Sequence, residues 1–391
     1  MRSNRRENGA QSAVTAFQPH FPGDCAALVR RGGRFLCQSH PSIERDVFDL
    51  KKILNDPSNL VPEMVSGMVA SYPQYIRQIP DTLAVVRNDR AFNEKHAPKV
   101  GIVSGGGSGH EPLHMGFVGQ GMLTAAVPGQ VFTSPTPDQI YAAVKAADQG
   151  KGVLLIVKNY SGDVMNFDMA KDLASIDDIK VESIVVDDDV AVEDSLYTQG
   201  RRGVAGTVLV EKIVGAAAEA GLDLAALVKL GKAVIAQTKT IGVALHAATV
   251  PEVGHPGFEL GPDEMEYGVG IHNEPGYKRE KMVPSAALAK ELLGKIGGHF
   301  DGGVAGKKFT VLVNGFGATP LGEQFVFAND VLEQLKDAKA DVIFTKVGNY
   351  VTSLDMTGLS LTLLQMQDDQ WLDYLNVPAA TIGWGDSRNE R

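Results

Sequence analysis

Val100-Gly-Ile-Val103-Ser104-Gly-Gly-Gly-Ser-Gly-His110-Glu-Pro112 decides the fold class, because a short apolar run leads directly into a stretch with four glycines in six residues. Residues 100–103 lack the polar alternation of a half-exposed strand, as do 153–157, 184–186, 310–313 and 342–344. Such continuous runs of Val, Ile and Leu predict strands covered on both sides. Between them, 204–218 and 321–335 carry helical patterning. Upstream, Val61, Met64, Val65, Met68 and Val69 recur on one helical face, with Pro62 suited to the first turn. The alternation predicts an α/β protein: two α/β domains with mixed, largely parallel sheets covered by helices.

Composition sets the limits of function. The chain has 391 residues, 44% of them hydrophobic, and a net charge of −10. That length suffices for two or three domains with cores of their own. An acidic chain of pI near 5.4 lacks the basic face that phosphate neutralisation needs, so no nucleic-acid partner is expected. No apolar run approaches the roughly 18 residues of a membrane span, so no membrane partner is expected either. Both cysteines, Cys25 and Cys37, lie in the first 40 residues, which removes disulfides and a thiolate nucleophile from the body of the chain and fits a reducing cytoplasm. Residues 1–45 carry scattered arginines without the apolar core of a secretory signal, and read as a disordered or poorly packed extension. A glycine- and proline-rich segment follows Thr238-Lys239-Thr240, so the body is divided into a first α/β domain, 46–240, and a second, 241–391.

In open α/β sheets ligands sit beyond the carboxyl ends of strands, and the polar peculiarities of this sequence fall there. The glycines of 104–109 allow positive φ and close approach of a ligand to backbone N–H groups, which predicts a loop for something rich in oxygen. The stretch is neither a P-loop nor a dinucleotide fingerprint, and Gly306-Lys307-Lys308 fails the P-loop pattern as well. Lys158-Asn-Tyr-Ser-Gly-Asp163 follows the 153–157 run. A lysine at a buried strand's exit needs an anionic or polar partner, and Asp163 on the same loop can accept a proton, although a Lys and an Asp five apart more often form a surface pair. Asp187-Asp188-Asp189 points to helix capping and solvation rather than to Mg²⁺, because adjacent strand residues face opposite ways. No pair among His246, His255 and His272 has the spacing of two zinc ligands on one helix face. Gly268-Val-Gly-Ile-His272 suggests a strand delivering an imidazole to a loop edge, where it is either a nucleophile toward a carbonyl or an ordinary hydrogen-bonding residue.

The segments SGGGSGHEPLHMGFVGQGML (104–123), FTSPTPDQI (132–140), VLLIVKNYSGD (153–163), VDDDVAVEDSLYTQGRRGVAGT (186–207), MEYGVGIHNEPG (265–276), NGFGATPL (314–321) and TSLDMTGLSLTLL (352–364) together resemble the substrate-binding (K) subunit family of dihydroxyacetone kinases. The resemblance runs in order from about Lys51 to near the end of the chain.

The resemblance implies a homodimeric, two-domain subunit that binds a short ketose covalently. His272 matches the histidine that adds to the ketone carbon as a hemiaminal. His110 matches the histidine that hydrogen-bonds the substrate and assists that addition, and Asp163 the aspartate that takes the proton of the terminal hydroxyl as it attacks phosphorus. Backbone groups of Gly107, Ser108 and Gly109 and the amine of Lys158 would line the same cavity. Asn273, after the key histidine, departs from the family pattern. The sequence shows no nucleotide motif and no metal site, and only 27 residues follow Leu364. The resemblance therefore implies a separate helical subunit carrying Mg²⁺ with ATP, or with ADP recharged by a sugar-phosphotransferase-system protein. Dihydroxyacetone is the expected substrate and erythrulose its rival. A non-catalytic coactivator paralogue is the competing reading from another class.

Overall fold

The computed structural model describes residues 28–31, 34–37, 51–94, 98–193 and 200–385. Contacts divide the chain at Lys51/Lys52. In the first unit, β1 (Leu28–Arg31) and β2 (Arg34–Cys37) pair antiparallel. The rest of the expected 1–45 extension lies outside the described residues, Cys25 included.

The second unit opens with α1 (Leu60–Ser71), β3 (Ile76–Gln78), β4 (Val85–Arg87) and α2 (Arg90–Asn93), and continues through β5 (Gly101–Ser108), β6 (Ala125–Val131), α3 (Pro137–Ala147), β7 (Val153–Lys158), α4 (Ser161–Ile176) and β8 (Val181–Val186). Its first six-stranded sheet has the order β3-β4-β6-β5-β7-β8. After α5 (Thr207–Glu219) and α6 (Leu224–Gln237), the chain forms β9 (Thr238–His246), β10 (Glu264–Tyr267), β11 (Lys278–Lys281), α7 (Ser285–Gly297), β12 (Lys308–Gly315), α8 (Leu321–Asp337), β13 (Asp341–Gly348), β14 (Thr357–Gln365) and α9 (Asp369–Asn376). The second six-stranded sheet runs β11-β10-β9-β14-β12-β13.

The 153–157 run shows why these strands lack polar alternation. Leu154 and Ile156 enter one hydrophobic cluster with α5 and α6, whereas Val153, Leu155 and Val157 enter another with α3 and α4. Both pleat faces are therefore buried. In β12, Phe309, Val311 and Val313 pack with residues of α7 and α8, while Leu312 turns to the cluster that contains α5.

The sheets are mixed and helix-covered, as the sequence indicated. Parallel pairing dominates only the first sheet, where β6-β5, β5-β7 and β7-β8 are parallel. In the second, only β12 and β13 run parallel; the other ladders are antiparallel. Parallel neighbours need a crossover element, and α8 supplies one between β12 and β13. No helix lies between β9 and β11, so that stretch returns on itself in antiparallel fashion.

Among the described residues, no helix is long and apolar enough to cross a membrane.

Candidate functional site

The glycine stretch is strand rather than loop: β5 extends through Ser108, with Gly105, Gly106 and Gly107 paired to β6 and Gly105 also to β7. Glycine is required there by neighbours. A Cβ on Gly106 would lie 2.2 Å from the Nζ of Lys158. Gly109, just past the strand, has φ +104, in the region that favours glycine. Its N–H is engaged by both carboxylate oxygens of Glu111 at 3.1 Å, and the Ser108 hydroxyl donates to the Gly129 carbonyl at 2.7 Å.

His110 follows at the carboxyl end of β5 and is fully buried. Its Nδ1 lies 2.8 Å from the Thr352 carbonyl, which can only accept, so the Nδ1 proton is fixed and Nε2 is left as an acceptor. Thr352 belongs to the segment after β13. That segment zips onto 109–111, with Thr352 N donating to the His110 carbonyl and Leu354 N to the Gly109 carbonyl. Burial first, then the charges of His272 and Lys158, hold the His110 imidazole well below its usual range.

The Nε2 atoms of His110 and His272 are 3.0 Å apart. The expected strand around 268–272 ends earlier: β10 stops at Tyr267, and His272 sits in a turn closed by Gly270 N on the Glu274 carbonyl at 3.0 Å. Glu274 grips the histidine twice, accepting its backbone N–H at 2.8 Å and standing 3.1 Å from Nδ1. Burial raises the Glu274 carboxyl, but His272 and Arg202 outweigh it and bring it down to about 2. Asn273 makes this turn possible. It takes φ +64, which asparagine tolerates, and its amide accepts from Ala248 N at 2.9 Å and donates to the Ala248 carbonyl at 3.1 Å. The His272 ring meets Tyr160 edge to face at 4.6 Å and Phe132 at 5.1 Å.

Lys158 is the last residue of β7, and Asp163 sits in the first turn of α4 rather than on a loop. Both are buried, with Nζ 3.6 Å from Oδ2. The Ser134 hydroxyl donates to the other Asp163 oxygen, and the Nε2 of His114 accepts from Lys158 at 3.2 Å.

A cavity of ≈ 610 Å³ brings His272, Asp163 and Gly107 to one space, together with Phe132, Ser134 and Tyr160. His110 stands behind His272, and Lys158 behind Asp163 and Gly106. Ser108, Gly109, His110 and Lys158 are not part of the cavity lining. Asp188 and Asp189 are buried rather than solvated. Asp188 accepts from Val204 N and Gly206 N, each at 2.8 Å, just before α5. Asp189 pairs with Arg202, whose guanidinium also donates to the Gly268 carbonyl at 2.8 Å and so ties down the segment leading to His272. Among the described residues, no group of three His, Cys, Asp or Glu side chains is placed to hold a metal ion.

The model of a family described as the Dak1 domain matches residues 66–383. The chain belongs to the Dak1 domain family. It is 63% identical over 335 residues to the "PTS-dependent dihydroxyacetone kinase 1, dihydroxyacetone-binding subunit DhaK" of Listeria innocua serovar 6a, across 86% of this chain and 100% of that one. It is 41% identical over 334 residues to the "DhaKLM operon coactivator DhaQ" of Lactococcus lactis subsp. lactis, across 85% and 100%. A crystal structure of the dihydroxyacetone kinase of C. freundii superimposes with a TM-score of 0.78 at 32% identity, across 86% of this chain and 60% of that one. The family resemblance carried by the seven motifs is borne out.

Several working neighbours in this Dak1 chain escaped the sequence reading. Glu274 could have been suspected from its place two residues after His272, a spacing that a tight turn folds back on itself. Thr352, Ser134 and Glu211 carried no such signal, because each reaches the site from an element distant in sequence; His114 stands close to His110 in the chain, but its partners Lys158 and Glu211 come from other elements. The roof over Lys158 yields a stability prediction. Gly106→Ala forces a methyl group into the buried ammonium, and overpacking of this kind costs about 1–3 kcal/mol; urea denaturation is expected to show that loss, and an unchanged midpoint would mean that the Lys158 side chain yields to the added methyl group.

Proposed function

We propose that this chain is the substrate-binding, catalytic subunit of a dihydroxyacetone kinase, holding dihydroxyacetone as a hemiaminal on His272 for phosphorylation to dihydroxyacetone phosphate. One observation carries the reading: the His272 imidazole, clamped by Glu274 and touching His110 Nε2 at 3.0 Å, faces the same cavity as the Asp163 carboxylate. The contacts of both rings are met when His272 donates twice, Nδ1–H to the Glu274 carboxylate and Nε2–H to His110. Passing that proton to His110 frees the Nε2 lone pair, which forms the N–C bond to the ketone carbon while the C=O π pair moves to oxygen. His110 then returns the proton to that oxygen, giving a hydroxyl. The positive charge left on the alkylated imidazolium is balanced by Glu274, which stays ionised because its carboxyl is held down to about 2. Across the cavity, Asp163 takes the proton of the terminal hydroxyl as its oxygen bonds to phosphorus and the donor's P–O bond breaks. Gly107 lines the same cavity. Ser108, Gly109 and Lys158 lie outside the cavity lining, with the Lys158 ammonium 3.6 Å from the Asp163 carboxylate.

The phosphoryl donor in this reading is carried by a separate helical subunit with Mg²⁺ and ATP, or ADP recharged by a phosphotransferase-system protein; the Listeria relative's name includes dependence on that system. The chain works as a cytoplasmic homodimer with no nucleic-acid or membrane partner. Erythrulose, which also presents a ketone, is the alternative substrate. The 41% identity to a coactivator keeps a non-catalytic reading in view, and Asp163, facing the cavity where a base is needed, favours the kinase. Intact-protein mass spectrometry after rapid quench tests the proposal. Incubation with dihydroxyacetone is expected to add the mass of one triose and glycerol to add nothing; an unshifted mass at saturating dihydroxyacetone would overturn it.

A further inference from the structure

Lys158 is completely buried, so water cannot fix where its ammonium points, and protein groups must do it. From the cavity wall inward a chain of buried side chains does so. Asp163 lies 3.6 Å from Nζ, Nζ donates to His114 Nε2 at 3.2 Å, and His114 Nδ1 lies 2.6 Å from Glu211 Oε1 on α5. Because Nε2 accepts from the ammonium, the one proton of a neutral His114 ring is on Nδ1 and is donated to Glu211. Ser104 stands 3.0 Å from the same Nδ1, and its hydroxyl proton goes to the Ile156 carbonyl at 2.7 Å, so its oxygen is a second acceptor. Nothing in the hemiaminal chemistry uses Glu211 or His114.

We propose that Glu211, acting through His114, is a positioning residue for phosphoryl transfer: it orients the imidazole that fixes the Lys158 ammonium, and the ammonium in turn aims the Asp163 carboxylate at the cavity. The inference rests on the kinase reading above. Three further facts support it. Burial holds the His114 ring well below its usual range, which keeps it the neutral acceptor this chain requires. Burial also pushes the Glu211 carboxyl up to about 8, so near neutrality it acts mainly as a hydrogen-bond acceptor rather than as a counter-charge. Among the described residues its second oxygen, Oε2, is buried without a hydrogen-bond partner, which costs the fold stability. A residue kept for stability alone would be better replaced by an apolar side chain.

Turnover with the phosphoryl-donating subunit and adduct formation by the chain alone are measured for Glu211→Leu and Glu211→Gln. Glu211→Leu is expected to lower kcat by about 10–100-fold, the scale of a catalytic group displaced by an ångström or less. KM for dihydroxyacetone, the extent of adduct and the melting temperature stay near wild type. Glu211→Gln keeps an acceptor for Nδ1 and is expected to restore kcat to within about threefold. If the leucine variant does not fold, Glu211→Met is read by the same measures. Wild-type kcat in the apolar variant would overturn the inference, as would equal losses in turnover, adduct and melting temperature. If wild-type chain itself formed no adduct, the fault would lie in the kinase reading and not in Glu211.

Discussion

Replacing His272 by alanine is expected to abolish the triose adduct in intact-protein mass spectra and to lower kcat/KM for dihydroxyacetone by at least about 10³-fold, the order lost when a covalently acting side chain is removed. The size of the substrate explains the magnitude. Small ligands gain at most about 1.5 kcal/mol per heavy atom from the best non-covalent sites, and this cavity of ≈ 610 Å³ is far wider than a three-carbon sugar. Contacts alone would therefore leave the triose loosely held and variably oriented. One N–C bond fixes both position and orientation, and it excludes glycerol because glycerol offers no carbonyl to attack. The substitution is also unusually clean. His272 is held by Glu274, His110 and the rings of Tyr160 and Phe132, and it belongs to a turn rather than to a core strand. Truncation leaves Glu274 still bonded to the backbone N–H of residue 272 and to the Arg202 field, so the fold is expected to survive. An adduct of unchanged yield in His272→Ala would remove the assignment.

What the sequence disclosed, and what it withheld, follows from the range of the interactions involved. The buried strands were legible because both faces of β7 meet helices, which leaves no polar position in the 153–157 run. The glycine stretch was legible as special and misread in kind. Its glycines answer to Lys158 and other neighbours across the sheet, so they permit a strand where local propensity reads a loop. Asp163 was expected on a loop and lies in the first turn of α4, because the helix begins at Ser161 behind an N-cap, Tyr160, whose side chain makes no capping bond. The antiparallel character of the second sheet was hidden for a different reason: the 245–278 segment carries few apolar residues in register, and its pairing is set by β9, to which β10 attaches. The motifs located His110, Asp163 and His272 individually. Their meeting depends on Thr352, Arg202 and Glu274, and only the last lies close to its partner in sequence.

Asp163→Asn is expected to leave the adduct intact and to reduce phosphoryl transfer by about 10²–10⁴-fold, the usual worth of a positioned general base. Asparagine preserves the shape and can still accept from Ser134, so the wall of the cavity is retained. It cannot take a proton from the attacking hydroxyl, and its amide presents a donor to Lys158 where a carboxylate oxygen stood at 3.6 Å. The separation of effects is the informative part. His272, His110 and Glu274 form one cluster of hydrogen bonds, and Asp163, Ser134, Lys158 and His114 form another. The two share the cavity without any hydrogen bond joining them among the described residues. Capture of the ketone and activation of its hydroxyl are thus assigned to different groups, and a variant in one should spare the other. Turnover within about threefold of wild type would show that another group takes the proton. Loss of the adduct together with turnover would show that the two clusters are coupled, and the division of labour between His272 and Asp163 would have to be abandoned.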